Sequence, residues 1–489
     1  MKSIKAEKNI VSNEVGTLLF MTIDKNRQKG YLYRQIYTDL KNSILDGKLS
    51  EHDKLPSKRD LASQLNVSVN TISSAYEQLI AEGYIYAKER SGYYVEKISY
   101  FDKGKPTKIP FPDDLKECTL EKNDWLSLSH MATNVNLFPF KDWEKSQQQA
   151  IEMHSNELAH ITHQQGPYLV RQTISKIINL TRGVVCEPEQ VVISVGTQPL
   201  IEQLIQMQQI NKTVQIAVED PGYARIHRHL NQIGAHVIPV PLDSKSIDIE
   251  KLTKLHADMV LVTPSHQFPM GKIMPISRRL QLLNWATQQS DRYIIEDDYD
   301  SEFKYETDQI PSLQSLDRHQ RVIYMGTFSK SMLTGLRISY MVLPIPLLRK
   351  YRKRYNHLIP YNNTLNLYTL HYFIESGAYA RHIKRMNHHY EIKRQLMIKT
   401  LKRYFNHSIH IEDIPAGLHF IAHFKTKKSY EEVEEAAEKE KLEVYSLRRF
   451  MLKQQTHNQK EVILVIGFAA IAEEKIDEAI TRLYRAIHE

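Results

Sequence analysis

Gly326-Thr327-Phe328-Ser329-Lys330-Ser331-Met332-Leu333-Thr334-Gly335-Leu336-Arg337-Ile338-Ser339-Tyr340 lies between the apolar runs Val322 to Met325 and Ile338 to Leu343, which read as strands. A lysine among small hydroxyl residues, with an arginine seven positions on, suits a phosphate-bearing aldehyde. The Lys330 amine can condense with the aldehyde, while Thr327, Ser329 and Arg337 hold the phosphate. Pyridoxal 5′-phosphate (PLP) is the cofactor of that description. A solvated loop rich in lysine and serine is the competing reading of the stretch taken alone.

Further strand-like runs alternate with helical segments from Trp125 on: Val191 to Val195, Val214 to Val218, Met259 to Thr263 and Tyr293 to Ile295. Such alternation predicts an α/β domain with a largely parallel sheet, whose ligands bind at the carboxyl ends of its strands. After Val195, Gly196-Thr197-Gln198-Pro199 opens a helix with free N–H groups suited to a phosphate, although a plain strand-to-helix turn has the same composition. After Ile295, Glu296-Asp297-Asp298-Tyr299-Asp300 offers Asp297 to pair with a pyridine nitrogen and Tyr299 to bond a phenolic oxygen. The same acidic run also suits Mg²⁺ or plain solvation. Tyr223 and Arg225, following another strand, can set an aromatic ring and a cation over a ligand. Arg448 can clamp a carboxylate with its planar fork, or form an ordinary surface pair.

The N-terminal segment has a different period. Tyr31 to Leu45 carries apolar residues at helical spacing and stops at Asp46-Gly47. Ser57 can cap a helix over Lys58 to Leu65. Asn66-Val67-Ser68 then turns into a third helix, Val69 to Ala81. A strand over Gly83 to Ala87, a turn, and Tyr93-Tyr94-Val95 complete a winged helix-turn-helix. In such a module Ser68, Asn70, Thr71 and Ser74 lead the third helix into the major groove, and Asn70 can read adenine. Ser57, Lys58, Arg59, Lys88 and Arg90 are placed to meet phosphates. A helical module for docking a protein is the alternative.

At 489 residues the chain exceeds one ordinary core, so several domains are expected. Its net charge of +8 permits an anionic partner such as DNA. The two cysteines, Cys118 and Cys186, have no metal-ligand spacing, and no metal is expected. They suit a reduced cytoplasm. The longest apolar run, Val462 to Ala472, is too short to span a bilayer and reads as a buried strand with its turn, so no membrane partner is expected. Residues 98–122, with Gly104, Pro106, Pro110 and Pro112, read as a linker. The expected layout is an N-terminal extension over 1–30, the DNA-binding head over 31–97, the linker, and an α/β domain over 123–489.

Lys54-Leu55-Pro56-Ser57-Lys58-Arg59-Asp60-Leu61-Ala62 and Val67-Ser68-Val69-Asn70-Thr71-Ile72-Ser73-Ser74-Ala75-Tyr76 resemble the head of the GntR regulators. Val69 stands where that family usually has arginine, so a guanine contact common in relatives is expected to be missing and an apolar contact to a thymine methyl to stand in its place. The chain from Trp125 on resembles a fold-type I aminotransferase. The motifs Ile295-Glu296-Asp297-Asp298-Tyr299-Asp300-Ser301-Glu302-Phe303 and Thr327-Phe328-Ser329-Lys330 with Gly335-Leu336-Arg337 resemble the MocR subfamily, closest to its GABA-responsive member GabR. The resemblance implies that Lys330 carries PLP, Asp297 pairs with its ring nitrogen, Tyr299 bonds its phenolic oxygen, and Tyr223 and Arg337 lie near ring and phosphate. Arg225 and Arg448 would hold an effector's carboxylate, and the larger domain would form a homodimer. Phe268, in Phe268-Pro269-Met270-Gly271, replaces the asparagine of true aminotransferases and cannot make its hydrogen bond. The expected function is transcription regulation in response to a small amino compound, GABA-like by preference, held as an external aldimine. An active aminotransferase, or a regulator sensing PLP itself, is the alternative.

Overall fold

The computed structural model describes residues 7–12, 18–23, 32–98, 110–117, 124–130, 134–209, 213–305, 310–412, 414–453 and 461–489. Contacts divide the chain into two units, Met1–Leu120 and Glu121–Glu489. The N-terminal extension contains two strands, β1 (Glu7–Ser12) and β2 (Leu18–Ile23), paired antiparallel. They are hard to see in the sequence because Leu18–Ile23 lacks a two-residue alternation. Cys118 and most of the linker lie outside the described residues.

In α1 (Leu32–Leu45), Ile36, Leu40 and Ile44 recur at helical spacing and are buried. The chain leaves the helix through Gly47 at φ +70, a left-handed conformation that suits glycine. After the two-residue β3 (Lys54–Leu55), the Ser57 hydroxyl accepts the Asp60 N–H at 3.2 Å and starts α2 (Lys58–Leu65). Asn66, at φ +50, turns the chain toward α3 (Val69–Ala81), where the Ser68 hydroxyl accepts the Thr71 N–H at 3.2 Å. The strands β4 (Ile85–Lys88) and β5 (Gly92–Val95) form the wing, with β3 added beyond β5. Leu61, Leu65, Ile72, Tyr76 and Leu79 join the α1 residues in one core. The buried Tyr76 hydroxyl is satisfied by donating to the Pro56 carbonyl at 2.8 Å.

The second unit begins with β6 (Leu126–Ser127), α4 (Phe140–His154) and α5 (Tyr168–Arg182). Its main sheet is laid down by β7 (Val191–Ser194), α6 (Thr197–Gln208), β8 (Gln215–Asp220), α7 (Ala224–Gln232), β9 (His236–Pro241), α8 (Ile249–Thr253), β10 (Met259–Val262), α9 (Ile276–Thr287), β11 (Tyr293–Asp298), β12 (Val322–Thr327) and β13 (Ser339–Val342). The strand order is β7-β13-β12-β11-β10-β8-β9, parallel except that β13 opposes both neighbours. Six of these strands match the apolar runs of the sequence. The seventh, β9, contains Pro239 and Pro241 and lies at the sheet edge, where a missing N–H breaks no ladder.

Three helices follow: α10 (Ile345–Arg354), α11 (Thr364–Glu375) and the long α12 (Ala378–Phe405). A smaller layer comprises β14 (Ile409–Glu412), β15 (His419–Lys425), α13 (Tyr430–Lys439), β16 (Leu442–Glu443), β17 (Tyr445–Ser446), β18 (Glu461–Gly467) and α14 (Ile476–His488). Its sheet runs β14-β15-β18-β17, while β16 pairs with β6. The run from Val462 is thus the strand β18 with its turn. Among the described residues no helix is long and apolar enough to cross a membrane.

Candidate cofactor site and nucleic-acid interface

Alternation along β11 sends successive side chains to opposite faces of the sheet and so separates the acidic run by function. The Glu296 carboxylate turns inward and accepts the backbone N–H groups of Leu313 and Gln314 at 2.7 and 2.8 Å. Asp298 pairs with Arg182 at 2.7 Å. Asp300 meets His266 at 2.9 Å. Only Asp297 of these carboxylates lines the cavity beside Lys330. The carboxylates diverge, which removes the basis for a Mg²⁺ site in this run.

That cavity holds about 210 Å³ and lies at the carboxyl ends of the strands. Gly196, Thr197, Gln198, Tyr223, Arg225, Asp297, Tyr299, Thr327, Ser329, Lys330 and Arg337 all line it. Arg448 does not. It sits on the short helix Leu447–Phe450, where Leu447 and Phe450 turn inward and Arg448 turns out to pair with Glu431 on α13. The expected clamp of Arg225 and Arg448 is therefore not assembled in this structure.

The residues present suit PLP. Among the described residues, the buried Oδ1 of Asp297 has no hydrogen-bond donor. Burial, reinforced by Asp298, Asp300 and Glu219, pushes the Asp297 carboxyl up to about 7. A protonated ring nitrogen would supply both the missing donor and the opposing charge. On the phosphate side, a Cβ at Gly196 would lie 2.3 Å from Arg337 Nη2, so only glycine lets the guanidinium rest there. Thr327 Oγ1 accepts the Ser329 N–H at 3.2 Å and the Ser339 hydroxyl at 2.8 Å, which orders this end of the cavity. Ser329 Oγ is buried without a partner among the described residues. Lys330 Nζ donates to the His130 carbonyl at 2.8 Å. Burial lowers the Lys330 amine to about 8, with Asp300 opposing the shift, so it gives up its proton far more readily than an ordinary lysine although it is still mostly protonated at neutral pH.

His266 and Asp300 are functional candidates that the sequence did not reveal. The Tyr299 hydroxyl lies 3.0 Å from His266 Nδ1, and the His266–Asp300 pair fixes that ring. Burial alone would raise the Asp300 carboxyl, but His266 beside it wins and holds it below the usual range. A Cβ at Gly417 would meet His266 Cε1 at 2.0 Å, so close backbone packing also locks the ring. His130, whose ring lies 5.1 Å from that of Phe268, is a further lining residue. Phe268 is buried in an aromatic cluster with Tyr223 and Tyr299 at 5.1 and 5.9 Å.

In the first unit, Asn70 and Ser74 are exposed on α3, and Thr71 is half-buried beside them. Val69 is 44% exposed, as an apolar contact to a base requires. The hydroxyls of Ser57 and Ser68 are occupied as helix caps. Lys58 Nζ donates to Ser73 Oγ at 2.7 Å and lies 3.5 Å from Glu77, so it is not an isolated cation waiting for phosphate. Arg59, Lys88 and Arg90 are exposed, with Arg90 in a left-handed conformation at the wing tip.

A winged helix-turn-helix and a PLP-type α/β domain on one chain define a transcription regulator with an aminotransferase-like domain. Comparison with known proteins agrees. Residues 32–95 match the bacterial regulatory proteins of the gntR family, and residues 125–483 match aminotransferase class I and II. The HTH-type transcriptional regulator YdeL of Bacillus subtilis (strain 168) is 38% identical over 461 residues, covering 93% of this chain and 96% of that protein. The probable rhizopine catabolism regulatory protein MocR of Rhizobium meliloti is 28% identical over 468 residues, covering 93% of each. In fold, the second unit is similar to the multiple substrate aminotransferase of Thermococcus profundus, with TM-score 0.66, 22% identity, 77% of this chain and 97% of that one covered. The chain belongs to the MocR-type GntR family of HTH-type transcriptional regulators, and its cofactor is PLP.

Proposed function

We propose that the protein is a cytoplasmic, homodimeric regulator that binds a small carboxylated amine beside PLP, with GABA the favoured case, and converts that occupancy into a change at its DNA operator. The observation that carries this reading is the 210 Å³ cavity, in which a deprotonatable lysine, an unpartnered buried carboxylate and Arg225 face one small space.

When bound, PLP supplies an electrophilic aldehyde and an electron-withdrawing ring. Asp297 would keep a proton on the ring nitrogen. Arg337, Thr327, Ser329 and the Gly196-Thr197-Gln198 turn would hold the phosphate, and Tyr299, oriented by His266, would bond the phenolic oxygen. Lys330, whose proton burial makes easier to lose, provides the attaching amine. Arg225 is exposed at the cavity and draws an effector's carboxylate. Arg448 joins it only by exchanging Glu431 for that carboxylate, a switch of partner that suits a sensor. Phe268 packs against the site but offers no hydrogen bond, so one tuning contact of the enzymes this unit resembles is missing. Differential contacts in the occupied state can then bias the DNA-binding state rather than drive turnover.

The intact Lys330 and Asp297 favour an active aminotransferase as the second reading, and PLP itself is the alternative effector. Titrating PLP-loaded protein with GABA, simple amines and PLP separates them. Regulation by a carboxylated amine predicts a saturable change in the visible cofactor absorption with GABA and less than one equivalent of carbonyl product. Product released over many turnovers would make the protein an enzyme first. Sedimentation as a monomer at micromolar concentration would remove the homodimer.

A further inference from the structure

A second cavity, of about 490 Å³, lies on the other face of the strands that build the cofactor site. The same alternation separates the two: Asp297 and Ser339 line the first, while Asp298 and Tyr340 line the second. Its walls are mainly apolar, formed by Ile177 and Leu180 of α5, Ile374 of α11, and Tyr379 and Ile383 of α12, with Thr173, Thr181 and Lys384 among them. Its floor is polar. Asp298, 4% exposed, accepts from Arg182 Nε at 2.7 Å and from the Tyr324 hydroxyl at 2.6 Å, both through Oδ2. Oδ1 has no donor among the described residues. Beside it Glu302 accepts from the Tyr379 hydroxyl at 3.2 Å, and burial raises its carboxyl to about 7. At the mouth, Lys176 and Glu375 pair with each other at 3.6 Å.

We propose that this back cavity is a second small-molecule site, taking an organic cation with an aromatic or branched aliphatic body. The apolar walls take the body, and the N–H of the cationic head donates to Asp298 Oδ1 with Glu302 alongside. An anion would meet two carboxyls at the floor, where Arg182 is already bonded to Asp298, and a wholly apolar molecule would leave Asp298 Oδ1 without a donor. Arg182 directs its Nε, Nη1 and Nη2 to Asp298 Oδ2, the Ile310 carbonyl and Ser265 rather than to Asp298 Oδ1. The site is distinct from the cofactor cavity and does not depend on which effector binds there.

The probe is N,N-dimethylbenzylamine, a tertiary amine that cannot condense with the PLP aldehyde. Calorimetry on the full chain loaded with PLP should show one site per chain at roughly millimolar or tighter affinity. The visible cofactor spectrum should be unchanged. Ala380→Trp fills the mouth from an exposed position on α12 and should weaken binding at least about tenfold, as should Asp298→Asn. Arg225→Ala should bind like the wild type. Absence of binding, equal binding by Ala380→Trp, or loss of binding in Arg225→Ala would each overturn the proposal.

Discussion

Lys330 is the residue on which the proposed sensing depends, and its chemistry follows from its surroundings. Its folded pKa, about 8, lies below the ordinary lysine value of 10.5, so the folded site disfavours the proton. The unprotonated fraction grows as pH rises toward and through 8. Apo-protein should therefore take up PLP in a borohydride-fixable form faster as pH rises over that window, and Lys330→Ala should yield no fixed cofactor at any pH while keeping its circular dichroism spectrum. A rate independent of pH would contradict the assigned role. Gly196→Ala is a sharper steric test, because the new methyl collides with Arg337 Nη2. PLP affinity should fall at least about tenfold, a loss of roughly 1.4 kcal/mol, by equilibrium dialysis. Unchanged affinity would show that Arg337 does not hold the phosphate. Lys330, Asp297 and Tyr299 were legible because each lies in a short run with distinctive chemistry. His266 and Asp300 were not, because a contact across 34 residues leaves no local pattern and Asp300 looked like one more acid in a run. The outward turn of Arg448 depends on a partner on another helix, which no spacing rule reveals.

At the scale of elements, the two serines before α2 and α3 belong to the helices more than to the DNA. Ser68→Ala should destabilise the first unit by about 1 kcal/mol in chemical denaturation, through loss of a cap. Asn70→Ala should change stability by less than about 0.5 kcal/mol and instead cost about 1–3 kcal/mol of discrimination at one base pair, read by anisotropy on duplexes selected by the protein. The reverse pattern would mean that Ser68 reads bases and Asn70 supports the helix. The helices of the head and six strands of the main sheet were legible because apolar periodicity and caps agree there. Three short or interrupted elements were not. β3 is two residues long, β2 lacks alternation, and β9 carries two prolines that ordinarily argue against a strand. Each is specified by its place at a sheet edge or in a hairpin rather than by its own sequence.

For the whole molecule, the question is whether occupancy around Lys330 reaches the DNA-binding unit. The DNA-binding class was legible from the head, and PLP from the sensor, yet the coupling between them is a property of two conformational states and is carried by no motif. The proposed effector must bind one state better than the other, and the proposed partner exchange of Arg448 from Glu431 to a carboxylate would be one source of that difference. The most direct test is operator binding by full-length, PLP-loaded protein with and without GABA, measured by fluorescence anisotropy in parallel with the Lys330→Ala variant. The account predicts a several-fold GABA-dependent change in operator affinity for the wild type and none for Lys330→Ala. An equal response in both, or no response in the wild type while carbonyl product accumulates, would contradict it.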